Sequence, residues 1–166
     1  NEKMMATVEK SSLGLVLVAV SATGVTAVQI GDNAESLRDE LERRFPITTF
    51  VAPDARAVKL AQRVVALIET PGRNEDVPVD IRGTAFQRLA WQALRDIPAG
   101  ETASYSELAG RMGKPTAVRA FAHACAANYI AILIPCHRAV RTDGSLAGYR
   151  WGIDRKRMLL EREQSA

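Results

Sequence analysis

Residues 104–138 read SYSELAGRMGKPTAVRAFAHACAANYIAILIPCHR, and they decide how the second half of the chain folds. Ser104 is followed three residues later by Glu107, the spacing at which a serine hydroxyl caps a helix N-terminus and the glutamate reaches back. The helix this starts, YSELAGRM, is short, because Gly113 accepts the left-handed conformation that ends helices. Pro115 and Thr116 then open a second helix, AVRAFAHACAA. Helix, a turn of three or four residues, helix is the outline of a helix-turn-helix. Arg111, Lys114 and Arg119 line its turn and the start of its second helix, where a DNA-binding unit meets phosphates. Beyond the apolar ILI run, Pro135 fixes the backbone just ahead of Cys136. A cysteine beside His137 and Arg138 has an electropositive setting that favours the thiolate. Neighbouring side chains diverge, so His137 acts on Cys136 through a water or through a turn of the loop. An imidazole in that role is best oriented by a carboxylate. Asp143, Asp154, Glu161 and Glu163 all qualify by spacing.

Upstream, Thr84 caps a helix reaching about Arg95, with Phe86, Leu89, Ala90 and Leu94 inward. The stretch TPGRNEDVPVDI, 70–81, is rich in Pro, Gly, Asp and Asn and reads as a boundary. Its end, 77–81, is positioned to return as a strand. Before it, LGLVLVAV and VTAVQI are β-rich runs joined by a turn at Gly24, with a further strand near 5–8. Asp32 or Asn33 caps a helix carrying Leu37 and Leu41 on one face, ended by Pro46. Residues 55–69 form another helix with a broad apolar face. The last helix, 154–163, turns Met158, Leu159 and Leu160 inward. No internal repeat or low-complexity segment is evident.

The 166 residues are 47% hydrophobic, enough for a real core. No apolar run reaches the ~18 residues of a membrane span; the longest, 13–20, has eight and reads as a strand. NEKMMATVEK lacks the features of a signal peptide. A start at Asn rather than Met suits a processed product or a piece of a longer protein. Two cysteines make no disulfide scaffold and point to a reducing cytosol. His123, Cys125, Cys136 and His137 follow H-x-C-x10-C-H, which is not a zinc spacing, so no metal is expected. Cys125, on an alanine-rich helix face, reads as core packing, and His123 as exposed or DNA-facing. The net charge of +3 hides an asymmetry: residues 1–80 carry 9 basic and 12 acidic side chains, residues 81–166 carry 13 and 7. A basic second half points to a polyanion, nucleic acid first.

The run GETASYSELAGRMGKPTAVRAFAHACAANYIAILIPCHRAV, followed by GSLAGYRWGIDRKRMLLERE, resembles the O6-alkylguanine-DNA alkyltransferases, most of all the C-terminal domains of the bacterial Ada type. IPCHR with Y-S-x-L-A upstream and GYRWG downstream is a specific combination. At motif level the resemblance runs from RGTAFQRLAWQAL, 82–94, to Glu163, and continues more loosely through the β-rich first part. It implies that Cys136 is the thiolate that takes the alkyl group, and that His137 is its base, acting through a bound water. Glu163 orients the histidine, Asn128 braces the active-site turn, and Tyr105 helps rotate the nucleotide and donates to the leaving guanine. Arg119 takes the place of the flipped base. Ser106, Lys114, Thr116, Ala117 and Arg138 join Arg119 and Tyr105 as DNA contacts. Tyr149, Arg150, Pro135 and Lys156 form the substrate pocket. Ala139 stands where the family usually has valine, Tyr129 where many members have proline, and Arg150 where some have serine.

The fold expected is α/β (α+β): residues 1–80 as a small ribonuclease-H-like sheet with helices, and 81–166 as a helical part holding the helix-turn-helix and the active site. The function implied is irreversible transfer of the alkyl group of O6-alkylguanine, and of O4-methylthymine, to the protein's own cysteine, once per molecule and without cofactor. The partner implied is double-stranded DNA, bound through the minor groove by a monomer in the bacterial cytosol, away from membranes. An Ada-type regulatory domain upstream belongs to the same resemblance. Three readings compete with it: a lesion-binding protein that does not transfer, a regulatory helix-turn-helix protein, and a cysteine hydrolase. The retained cysteine argues against the first, the alanine-rich second helix against the second, and the DNA-binding unit against the third.

Overall fold

The computed structural model describes residues 2–73 and 75–165. Asn74, inside the stretch read as a boundary, lies outside the described residues, as do Asn1 and Ala166. The chain divides into two compact units: residues 1–81 with 129–133, and residues 82–128 with 134–166.

The first unit is built on a four-stranded sheet in the order β3-β2-β1-β4. Strands β1 (Lys3–Ser11), β2 (Gly14–Val20) and β3 (Val25–Gly31) form an antiparallel meander. A fourth strand, β4 (Thr49–Val51), pairs parallel with β1; it is too short to show a period in the sequence. Helices α1 (Ala34–Arg44) and α2 (Ala55–Glu69) are capped by Asn33 and Asp54. Met4, Leu17, Ala19 and Ala27 turn to one sheet face and pack with Leu37, Leu41 and Phe45 of α1 and its end. α2 packs against β1 and β2, and Val16, Val18 and Val20 of β2 are buried on the opposite face from Leu17. That double coverage explains why β2 is a continuous apolar run rather than an alternating one. At the β2–β3 turn a side chain on Gly24 would meet the Pro78 carbonyl oxygen at 2.7 Å, so only glycine fits. Val79, in the stretch expected to return as a strand, makes a single parallel bridge to Val25. Tyr129–Leu133 also joins this unit: Val28 donates to the Tyr129 carbonyl at 2.9 Å, and Ala131 donates to that of Val28 at 3.0 Å.

The second unit holds α3 (Ala85–Arg95), α4 (Tyr105–Arg111), α5 (Val118–Ala126) and α6 (Ile153–Ser165). α3 and α4 both begin with capping boxes, Thr84 with Gln87 and Ser104 with Glu107. On α3 the inward residues are Ala90, Trp91 and Leu94. Leu89, expected inside, is 53% exposed. Trp91 takes its place because its ring fills the space beside Gly83 and its Nε1 donates to the Ala124 carbonyl at 2.9 Å. The link from α4 to α5 is longer than expected: Pro115 and Thr116 belong to it, and α5 starts at Val118. α6 buries Lys156, Leu159 and Glu163, while Met158, expected inside, is exposed. The sequence pattern missed a two-stranded parallel sheet, β5 (Ala103–Ser104) with β6 (Ala139–Val140). Among the described residues no helix is long and apolar enough to cross a membrane.

Candidate active site

Pro135, at φ −80° and ψ 64°, centres an inverse γ-turn closed by the Cys136 N–H on the Ile134 carbonyl at 2.8 Å. A single 3-10 turn, Cys136–Arg138, follows. The proline's fixed φ thus sets the angle at which Cys136 leaves the apolar run. Asn128, fully buried, holds the other side. Its Nδ2 donates to the Ile134 carbonyl at 3.0 Å and to Cys136 Sγ at 3.3 Å. One amide therefore braces the turn and points a donor at the sulfur. Burial pushes the Cys136 thiol up to about 11, against the Asn128 hydrogen bond and the charges of Lys156 and Arg150, which pull it down. At neutral pH the thiol keeps its proton until a base takes it.

His137 is the next residue along the turn. It is 1% exposed, and its Nε2 lies 3.1 Å from Glu163 Oε2. Burial lowers its pKa below the ordinary histidine value, against the pull of Glu163, so the ring is neutral. Burial works against the Glu163 carboxylate, but hydrogen bonds from His137 and Arg138 hold it down at about 2. An ionised carboxylate only accepts, so the His137 proton sits on Nε2 and Nδ1 is left as the basic nitrogen. Nδ1 is buried and has no hydrogen-bond partner among the described residues. Among the four carboxylates left open by spacing, Glu163 is the one paired with His137.

Cys136 opens on a cavity of about 550 Å³ lined also by Tyr105, Ala122, Cys125, Ala126, Arg141, Ala147, Gly148, Tyr149 and Arg150. Tyr105 packs edge-on against Phe121, and burial raises its hydroxyl to about 12, which keeps it a proton donor. Tyr149 stands edge-on to both His137 and Trp151; burial raises its hydroxyl well above the ordinary value. Arg150 donates to the Ala126 carbonyl at 2.9 Å.

The other expected site residues fall in three groups. Ser106, Lys114, Thr116 and Arg119 are exposed, with Ala117 half-buried, at the start of α4, along the link and at the start of α5. Pro135 and Lys156 are buried and do not line the cavity. Lys156 nevertheless acts on the site: its buried Nζ has no hydrogen-bond partner among the described residues, and its charge draws down the Cys136 thiol. Burial lowers its own pKa in turn. Arg138, expected to contact DNA, has internal partners in this structure. Its Nη2 reaches Glu163 Oε2 at 2.6 Å and its Nη1 donates to the Ile97 carbonyl at 2.6 Å. The 3-10 turn points the guanidinium inward, where the buried carboxylate requires a partner.

Sequence reasoning passed over Cys125 and Arg141 as cavity residues. Ala122, Cys125 and Ala126 are spaced i, i+3, i+4, so a cavity face was readable on α5. Nothing in the sequence marked Arg141.

The family described as 6-O-methylguanine DNA methyltransferase, DNA binding domain, matches residues 85–165. The bifunctional transcriptional activator/DNA repair enzyme Ada of Escherichia coli is 51% identical over 151 residues, 91% of this chain and 43% of the relative. The inducible methylated-DNA–protein-cysteine methyltransferase of Bacillus subtilis is 41% identical over 132 residues, 80% of this chain and 74% of the relative. Mycobacterium tuberculosis OGT, solved in complex with DNA, superposes with a TM-score of 0.78 at 35% identity, covering 98% of this chain and 93% of that one. The chain spans less than half the length of the Ada-type relatives it matches. With a mixed α+β fold shared over nearly its full length with that structure, the chain belongs to the methylated-DNA–protein-cysteine methyltransferase family.

Proposed function

We propose that this protein repairs alkylated DNA by moving the alkyl group from O6-alkylguanine, and from O4-methylthymine, to Cys136. The observation that carries the reading is Cys136 opening on a cavity that Tyr105 also lines, with Asn128 on its sulfur and Glu163 on the adjacent His137. His137 Nδ1 takes the thiol proton through a water, and Glu163 steadies the imidazolium that results. The thiolate attacks the alkyl carbon, and the Tyr105 hydroxyl donates to the departing base. Nothing in this chemistry cleaves the thioether, so each molecule reacts once.

A stacked base hides its O6 substituent, so the nucleotide must be extruded, at a cost of a few kcal/mol. Residues 1–80 act as the scaffold and 81–166 as the DNA-binding and transferring part. In that part α4 and α5 work as a helix-turn-helix, with Ser106, Lys114, Thr116, Ala117 and Arg119 toward the DNA. α5 enters the minor groove, whose degenerate edge pattern suits a reader of lesions rather than of sequence. Arg119, near the start of α5, fills the space the base leaves. The protein works as a monomer in the cytosol, and without a cofactor.

The test is the intact mass of the chain after incubation with duplex DNA carrying one O6-methylguanine. The expected result is a gain of one methyl, stopping at one per chain, and no gain for Cys136→Ser. Tight binding with no gain in mass would replace transfer by lesion sensing.

A further inference from the structure

Arg141 shares the cavity with Cys136 and Tyr105, and the fold places it there deliberately. β5 and β6 run parallel with Ala103 opposite Ala139 and Ser104 opposite Val140. The next residues along are Tyr105 and Arg141. The smallest sheet of the fold thus ends where a phenol and a guanidinium both come to line one cavity. The Arg141 backbone is fixed by a tight turn: its N–H donates to the Ser145 carbonyl at 3.0 Å, and Gly144 donates to its own carbonyl at 2.8 Å. Asp143 secures that turn by accepting from the Ser145 N–H at 2.9 Å and hydroxyl at 2.6 Å. Among the described residues the Arg141 guanidinium enters no hydrogen bond or ion pair. Its charge is felt within the site all the same, drawing the Tyr105 hydroxyl down against the burial that raises it.

We infer that Arg141 is a catalytic residue of the alkyl transfer, its guanidinium holding the negative charge that passes onto guanine as the bond from carbon to O6 breaks. The inference rests on the alkyl-transfer reading. In that step the sulfur lone pair forms the S–C bond, and the electrons of the C–O6 bond stay with the base. The base becomes a guanine anion until the Tyr105 hydroxyl gives it a proton. The tyrosinate is then restored from solvent, which also takes the thiol proton from His137. Between bond breaking and proton transfer the base carries a full charge, and the Arg141 guanidinium, exposed at the cavity and free of a competing partner among the described residues, acts most strongly when that charge appears.

The experiment measures the first-order rate of methyl transfer at saturating duplex carrying one O6-methylguanine, for wild type, Arg141→Ala and Arg141→Lys. Affinity for the same duplex is measured separately in Cys136→Ser versions, over a range of salt. Equal thermal midpoints establish that the variants fold. The inference expects Arg141→Ala to react at least about tenfold more slowly at saturation, with affinity unchanged within about twofold and Arg141→Lys restoring most of the rate. An unchanged rate with weaker binding and a salt slope reduced by about one would make Arg141 a phosphate contact and overturn the inference alone. A wild-type chain that gains no methyl would remove the alkyl-transfer reading, and this inference with it.

Discussion

Glu163 serves two donors, a neutral imidazole and a guanidinium, with one carboxylate. His137 needs it to fix the tautomer, and Arg138 covers it from the other side. The demand appears as pH dependence. The carboxyl is held at about 2, below its ordinary 4.5, so the stability it contributes is fully present above about 4.5 and is lost as pH falls toward 2. Glu163→Gln removes that contribution. The difference in urea midpoint between wild type and Glu163→Gln should be largest at neutral pH and shrink steadily between pH 4.5 and pH 2. A difference independent of pH would mean that the carboxylate is not held in this way. The same variant leaves Nδ1 a weaker base, and methyl transfer should slow by about 100-fold at pH 7. Its counterpart, Cys136, is not a standing thiolate: burial outweighs both Asn128 and Lys156. On the proposed mechanism, activation therefore depends on the base rather than on the resting charge of the sulfur.

At the scale of elements, two glycines three residues apart have opposite roles. Gly110 lies inside α4 in open space, with ordinary backbone angles. Gly113 sits just past the helix at φ +74°. Gly110→Ala should stabilise the fold by up to about 1 kcal/mol, through helix propensity. Gly113→Ala should destabilise it by about 1 kcal/mol, because a Cβ strains the left-handed turn that lets the chain leave α4. Chemical denaturation of the two variants reads the sign of each. Two changes of the same sign would mean that the link to α5 does not depend on its glycine. α6 combines its tasks differently: Lys156 and Glu163, seven residues apart on one face, are both turned inward. A strongly polar helix thus supplies two charged groups to the interior.

At the scale of the whole molecule, the basic excess of residues 81–166 separates into exposed and internal charges. Arg119 is exposed, whereas Arg138 is spent on Glu163 and the Ile97 carbonyl. Salt dependence of DNA binding should tell them apart. Arg119→Ala should weaken binding and reduce the slope of log affinity against log salt by about one. Arg138→Ala should leave that slope unchanged and lower folding stability by about 2 kcal/mol, since it uncovers a buried carboxylate. The reverse assignment would return Arg138 to the DNA surface.

Much of this protein was legible from the chain alone, because local chemistry decided it. The hairpin strands, the cap at Thr84, the capping box at Ser104 and the stop at Gly113 depend on residues close in sequence. The IPCHR cluster offered a thiol beside an imidazole, and the resemblance gave that pair its expected chemistry. Resemblance supplied Asn128, and chose Glu163 among four carboxylates that spacing had left undecided. What the chain could not state was decided by distant packing. β4 and the β5–β6 pair are two or three residues long, too short to carry a period, and exist only because their partners arrive from elsewhere. Leu89 and Met158 have the right hydrophobicity for burial yet face out, because Trp91 and the Lys156–Glu163 face claim the interior. The inward turn of Arg138 and the place of Arg141 on the cavity that Tyr105 lines follow the same rule. A long cationic side chain goes where a charge or a cavity awaits it, and only the folded chain brings either within reach.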